Sequence, residues 1–206
     1  MKPRLILISN IYPNSQEPTR GVFTKQITDC LKAWYDIKVI APTVWLPETA
    51  RKLLKRNPAL PECEIIDGIE VYHPQHLVTP KVGRSLYGHF FYQGVYPLMK
   101  KLNDEFQPDL FNVHWLYPDG YGVTLAAKRL GVPVVMHALG CDVNDFTQYY
   151  WRRKWITQAL HDAKMTISVS NGMRDRMVEL GVSADKVPVI MNGINHEKFY
   201  FRDRDT

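Results

Sequence analysis

Short, almost wholly apolar runs recur along this chain of 206 residues: Leu5-Ile6-Leu7-Ile8, Ile37-Lys38-Val39-Ile40-Ala41, Leu110-Phe111-Asn112-Val113, Pro133 to Met136 and Met165 to Val169. Without polar alternation, such a run suits a strand covered on both faces, the pattern of parallel sheets flanked by helices. The intervening segments supply the helices. Val22 to Trp34 brings Val22, Phe23, Ile27, Cys30, Leu31 and Trp34 near helical spacing, so these are its expected apolar face. Strand, helix and strand in that order imply a right-handed crossover.

Further helices are expected from Gly122 to Leu130, Tyr150 to Leu160 and Asn171 to Leu180, and within the aromatic, basic stretch Lys81 to Leu102. "LGVPVVM" from Leu130 and "LGVSADKVPVIM" from Leu180 each end a helix at a glycine before a new apolar strand. Glycine suits the left-handed position after a helix end. Glu64-Ile65-Ile66 and Ile69 to Tyr72 flank Asp67-Gly68, a pair that favours a type I′ hairpin because both residues accept positive φ. The expected fold class is therefore α/β: one domain over residues 1–206 with a doubly wound, mostly parallel, Rossmann-like sheet and a small β-hairpin insertion.

Composition narrows the setting. A hydrophobic share of 45% supplies a core, and the net charge of +5 is spread along the chain, so no nucleic-acid partner is expected. Cys30, Cys63 and Cys141 are odd in number and lack metal-ligand spacing. The expectations are a reducing cytoplasm, no disulfide framework and no metal. The apolar start ends at Ser9-Asn10, too soon for a signal segment, and no run approaches the roughly 18 apolar residues of a membrane span.

Ligands of open α/β sheets bind where chains leave the carboxyl ends of strands. Four such exits carry chemistry. In "SNIYPNSQEPTRG", Gly21 either admits a ligand close to the backbone or simply starts a helix. In "FNVHWLYPDGYG", His114 either bonds a ligand hydroxyl, with Asp119 before a glycine-bearing helix start and Trp115 or Tyr117 offering a ring face, or is a packed histidine in an aromatic core beside a Pro-Asp-Gly turn. In "HALGCDVN", His137 is a polar group near substrate or a satisfied core histidine; Asp142 is a ligand contact or a helix cap, and Cys141 a small filler or a nucleophile. Ser168-Val169-Ser170-Asn171 most economically forms an N-cap. "RKLLKR" at Arg51 to Arg56 and the stretch Lys81 to Lys101 face either an anionic membrane or plain solvent. No Gly-x-Gly-x-x-Gly or Walker A pattern follows the first strand, which disfavours a nicotinamide enzyme or an ATPase.

"RGVFTKQI", "FNVHWLYPDGYG", "GVPVVMHALGCDVN", "ISVSNGMRDRMVELGV" and "VPVIMNGINHEKF", in this order, resemble the N-terminal half of family 4 retaining glycosyltransferases of the GT-B fold, over nearly the whole chain. The resemblance implies a cleft enzyme whose N-terminal half supplies the acceptor site and whose C-terminal half holds a nucleotide-sugar donor. By position, Arg20 and Gly21 would approach the donor's phosphates and sugar, and His114 to Gly120, with Asp119, would form the acceptor wall. Gly140 to Asp142 would lie beside the transferred sugar, with Ser170 and Asn192 also among the substrate-binding residues, and Asn192 to Asn195 would precede an interdomain linker.

The resemblance further implies His137 as the catalytic candidate. Family members often carry a His-Gly-x-Asp pattern here, and Leu139 occupies its histidine position. His137 lies two residues upstream, on the same strand face but displaced by about 6–7 Å. No cofactor is expected, the nucleotide-sugar being a substrate bound mainly by the C-terminal half. The expected partners are a glycan, lipid-linked or small-molecule acceptor and, in the full-length protein, the donor, with peripheral contact at the inner face of the membrane; the oligomeric state is open. The chain alone is expected to fold yet be nearly inactive, the alternative being a non-catalytic module that binds an acceptor or membrane surface.

Overall fold

Parallel pairing of the apolar runs generates the architecture. The computed structural model describes residues 1–55, 57–79, 83–193 and 200–201. In chain order the elements are β1 (Arg4–Ile8), α1 (Val22–Leu31), β2 (Asp36–Ile40), β3 (Thr43–Val44), α2 (Glu48–Leu53), β4 (Cys63–Ile66), β5 (Ile69–Tyr72), β6 (Gln75–His76) and α3 (Tyr87–Phe106). β7 (Leu110–His114), α4 (Tyr121–Leu130), β8 (Val134–Ala138), α5 (Cys141–Asn144), α6 (Tyr150–Asp162), β9 (Met165–Ser168) and α7 (Asn171–Glu179) follow. The main sheet runs β4-β5-β2-β1-β7-β8-β9, parallel throughout except for β4, and β3 and β6 pair separately.

The hairpin forms as expected, with Asp67 and Gly68 both at positive φ. It is not a separate insertion, because β5 also pairs in parallel with β2 and so carries the hairpin onto the sheet edge.

Alternation along the strands sends two sets of side chains into two layers. Ile6, Ile8, Phe111, Val113, Val134 and Met136 face a large cluster with Phe91, Val95, Met99 and Leu102 of α3 and Val123, Ala126 and Ala127 of α4. Burying each of the larger aliphatic or aromatic side chains stabilises the fold by about 1.5–3 kcal/mol. The helix expected within Lys81 to Leu102 runs from Tyr87 to Phe106 and thereby gains a definite phase; residues 81 and 82 lie outside the described ones. Glycine lets α3 and α4 meet closely: a methyl group on Gly122 would sit 3.0 Å from the Gly88 carbonyl oxygen and 2.8 Å from the Phe91 ring.

On the other face, Leu5, Leu7, Ile37, Val39 and Val71 form a smaller layer. Here α1 departs from expectation. Its buried residues are Thr24 and Thr28, whereas Val22, Phe23 and Cys30 are exposed, as is Trp34 beyond its end. The cause lies beneath the helix, where the sheet presents Asn112 and His114 beside Leu7 and so takes hydroxyls rather than methyls.

The apolar run Val187 to Met191 also differs. It makes one parallel bridge, Ser168 to Val189, instead of a strand, and leaves Ile190 and Met191 exposed. Pro188 accepts the Ser168 N–H but has no N–H to return, which limits pairing at this edge. Among the described residues no helix is long and apolar enough to cross a membrane.

Candidate functional site

Register places the two histidines side by side. β7 and β8 pair His114 with His137, and their rings stack with centroids 4.2 Å apart and planes 18° from parallel. Thr24 of α1 puts its hydroxyl 3.4 Å from His114 Nδ1, and Asn112 puts its amide nitrogen 3.2 Å from His137 Nε2. His114 is fully buried; His137 retains 9% exposure. Burial pushes both imidazoles down, His137 to about 4 and His114 well below its ordinary value, with the neighbouring ring adding to the effect at His114. Both are therefore neutral at pH 7.

Two buried carboxylates join three strand exits. Asp119 Oδ2, after β7, accepts the Asn10 N–H after β1 at 2.7 Å. Asp142, after β8, accepts the Leu116 N–H after β7 at 3.0 Å and the N–H groups of Gly140 and Val143 in its own turn at 2.8 and 3.1 Å. Burial raises both carboxyls, Asp119 to about 8, against the opposing pull of these N–H donors. Trp115, between the histidine and this turn, has φ of 100°, a conformation non-glycine residues hold only when the surroundings enforce it.

Gly21 precedes α1 with φ of 59°, and a Cβ there would lie 2.1 Å from the Ile11 carbonyl oxygen. The loop from Asn10 to Gly21 thus folds back on itself at a point only glycine fits. Arg20 spans this loop, donating to Glu17 at 2.7 Å and to the Asn10 carbonyl at 3.1 Å. An open cavity of about 610 Å³ lies alongside, walled by Asn10, Tyr12, Arg20 and Pro118 and by Thr43, Arg51, His76 and Tyr87 opposite.

The remaining candidates sit around this centre in different ways. Gly120 has no room for a side chain, because a Cβ would meet Met136 Sδ at 2.7 Å. Gly140 takes φ of 134° at the turn held by Asp142. Ser170 caps α7 by accepting the Met173 N–H at 3.3 Å, a structural bond. Asn192 is exposed just past the Ser168 to Val189 bridge and is not joined to the histidine cluster by a hydrogen bond; Ile194 and Asn195 lie outside the described residues. Cys141 is half-buried. Within the first basic run, Arg51 donates to the Val44, Leu46 and Asn57 carbonyls and so braces its own loop.

Thr24 and Asn112 were not among the sequence candidates. Asn112 left a trace, as the polar member of the run Leu110 to Val113. Thr24 and Thr28, four residues apart, left a weaker one on a helix whose larger apolar residues pointed elsewhere.

The Asp119 carboxyl gives a test with a definite sign. Folding raises its pKa from 3.8 to about 8, so its stabilising contribution is complete below the lower value and is lost as the pH rises through the upper one. Asp119→Asn, which keeps an oxygen acceptor for Asn10 without a charge, should cost no more than about 1 kcal/mol at about pH 5 and become stabilising relative to the parent at about pH 9. Urea midpoints at the two pH values read this out; an unchanged difference between parent and variant would contradict a buried neutral carboxyl.

Comparison with known proteins bears on the same framework. A relative in Bacillus subtilis (strain 168), named "Putative teichuronic acid biosynthesis glycosyltransferase TuaC", is 27% identical over 203 residues, covering 95% of this chain and 51% of the relative. The chain thus spans about half the length of that protein. Among solved structures, UDP-GlcNAc 2-epimerase from Neisseria meningitidis bound to UDP-GlcNAc matches with a TM-score of 0.57 at 12% identity, over 93% of this chain and 47% of the other. Anabaena HepE in complex with UDP matches with a TM-score of 0.57 at 15% identity, over 96% and 45%. These likenesses establish the fold as one half of the GT-B type. The model for Glycosyltransferase Family 4 matches residues 21–198, most of the chain, and the chain belongs to that family.

Proposed function

We propose that this chain is the acceptor-side half of a retaining glycosyltransferase, moving a sugar from a nucleotide-sugar to a glycan, lipid-linked or small-molecule acceptor. The observation that carries this reading is the rim itself, where Asp119 and Asp142 join three strand exits and the first two of these, at Asn10 and Pro118, line a cavity of about 610 Å³. A donor-binding half, from outside these residues, would close over the rim and exclude water. The first N–H groups of α1, without a side-chain cap, would be available to the donor's phosphate oxygens next to Gly21.

The site's electrostatics suit such a division of labour. The anomeric carbon would exchange its bond to the diphosphate oxygen for one to the acceptor oxygen, with the acceptor's proton passing to a donor phosphate oxygen. Asp119 and Asp142 are buried against backbone N–H groups and so serve as loop ties rather than a nucleophile and acid pair. His137, neutral at pH 7, would hold a sugar hydroxyl by hydrogen bonding instead of ionising. A cytoplasmic setting, peripheral to the inner face of the membrane, accords with a nucleotide-sugar donor and a lipid-linked acceptor.

The chain joined to a donor-binding half should turn over a nucleotide-sugar, and the chain alone should not. His137→Ala in the joined protein should lower the rate about 100-fold with its circular dichroism unchanged. Efficient transfer by the isolated chain, or full activity of the variant, would contradict the reading.

A second reading, a surface-binding module without catalysis, draws on the start of α6. Tyr149, Tyr150 and Trp151 are 59%, 73% and 51% exposed beside the exposed cations Arg153 and Lys154, and Lys154 lies 5.3 Å from the Trp151 ring. Aromatics flanked by basic residues suit the interface of an anionic bilayer. Co-sedimentation with phosphatidylglycerol vesicles should then be lost in a Trp151→Ala, Lys154→Ala double variant. Equal binding by parent and variant, or donor turnover once the halves are joined, would eliminate the module reading.

A further inference from the structure

The acceptor-side reading of His137 leaves open which ring nitrogen meets a ligand, and Asn112 bears directly on that choice. The two residues belong to neighbouring strands, diagonal across the β7 to β8 register on one sheet face. The Asn112 amide nitrogen lies 3.2 Å from His137 Nε2, and the asparagine is itself buried at 6% exposure. An amide N–H can only donate, so Nε2 accepts and the ring proton belongs on Nδ1. In this orientation the amide oxygen is buried without a partner. Exchanging the amide's oxygen and nitrogen would pair that oxygen but leave both amide hydrogens unpaired instead of one, and among backbone groups an orphaned buried N–H is rarer than an under-satisfied carbonyl.

His114 supplies the second constraint. Its ring, held beside the Thr24 hydroxyl, stacks on His137 at 4.2 Å and fixes the plane, while Asn112 fixes which way round the ring sits in that plane. His137 Nδ1 has no protein partner among the described residues. It belongs to the residue of the pair that keeps some exposure, 9%, whereas His114 is sealed.

We infer that Asn112 is a positioning residue, setting His137 in the Nδ1–H tautomer so that a hydrogen-bond donor, not an acceptor, faces the ligand at the β8 exit. The ligand group this arrangement fits is an acceptor of hydrogen bonds: a sugar hydroxyl oxygen or a phosphate oxygen. The inference rests on the functional reading for its purpose but not for its geometry, and the two can fail separately.

Ring ¹⁵N spectra of the isotopically labelled chain at neutral pH test the geometry without any substrate. The expected result is a protonated Nδ1 and an unprotonated Nε2 at His137. Asn112→Asp, nearly the same shape but an acceptor only, should move the proton to Nε2. Asn112→Leu, which keeps the site apolar should the buried carboxylate prevent folding, should shift the ring toward the Nε2–H form preferred by a free imidazole. An Nε2–H tautomer in the parent, or an unchanged Nδ1–H tautomer in a folded variant, would overturn the assignment. In the protein joined to its donor-binding half, Asn112→Asp should lower kcat about 10-fold or more with little change in donor KM. A parent-like kcat despite a swapped tautomer would overturn the positioning role.

Discussion

Backbone N–H groups captured by buried aspartate side chains are what the rest of this structure depends on. A strand that ends in the core leaves polar groups needing partners, and behind the rim where β1, β7 and β8 finish the fully buried Asp119 and Asp142 supply them. Asp119 meets that need for Asn10, and Asp142 for Leu116, Gly140 and Val143. Each bond crosses or anchors an exit loop, so three segments distant in sequence are held as one surface. Removing one oxygen would expose the desolvation cost of its N–H partners, about 1–3 kcal/mol for each group left unpaired.

The same burial governs the histidines. Stacked imidazoles at 4.2 Å tolerate each other because neither is charged, and burial keeps them that way. A neutral pair is oriented and insensitive to pH near 7, properties suited to holding hydrogen bonds rather than to exchanging protons with solvent. Burial thus links packing to chemistry: the contacts that close the sheet's polar face also select what His137 can do.

Much of the fold was legible because parallel strands buried on both faces lose the alternation of exposed ones. Leu5 to Ile8 and Ile37 to Ala41 could hardly be anything else, and Asp67-Gly68 announced its turn through backbone chemistry alone. The face of α1 was not legible. Threonines counted as polar on the helix, and only the three-dimensional neighbourhood reveals polar residues beneath them. Val187 to Met191 has the composition of a strand, but Pro188 removes a donor where pairing would have to propagate. At the site, single residues such as His114, His137 and Asp142 stood out at strand exits, whereas their supports, Asn112 and Thr24, depended on a register that one sequence does not print.

The central claim is that the buried histidine pair behind the rim is a dry, neutral polar layer held in place by its neighbours. Following the His114 and His137 ring resonances by NMR as the pH is lowered tests it most directly. The account predicts that His137 stays neutral until about pH 4 and that His114, too, resists protonation well below its ordinary value. Titration of either ring near 6.5, the value of an ordinary solvated histidine, would contradict it.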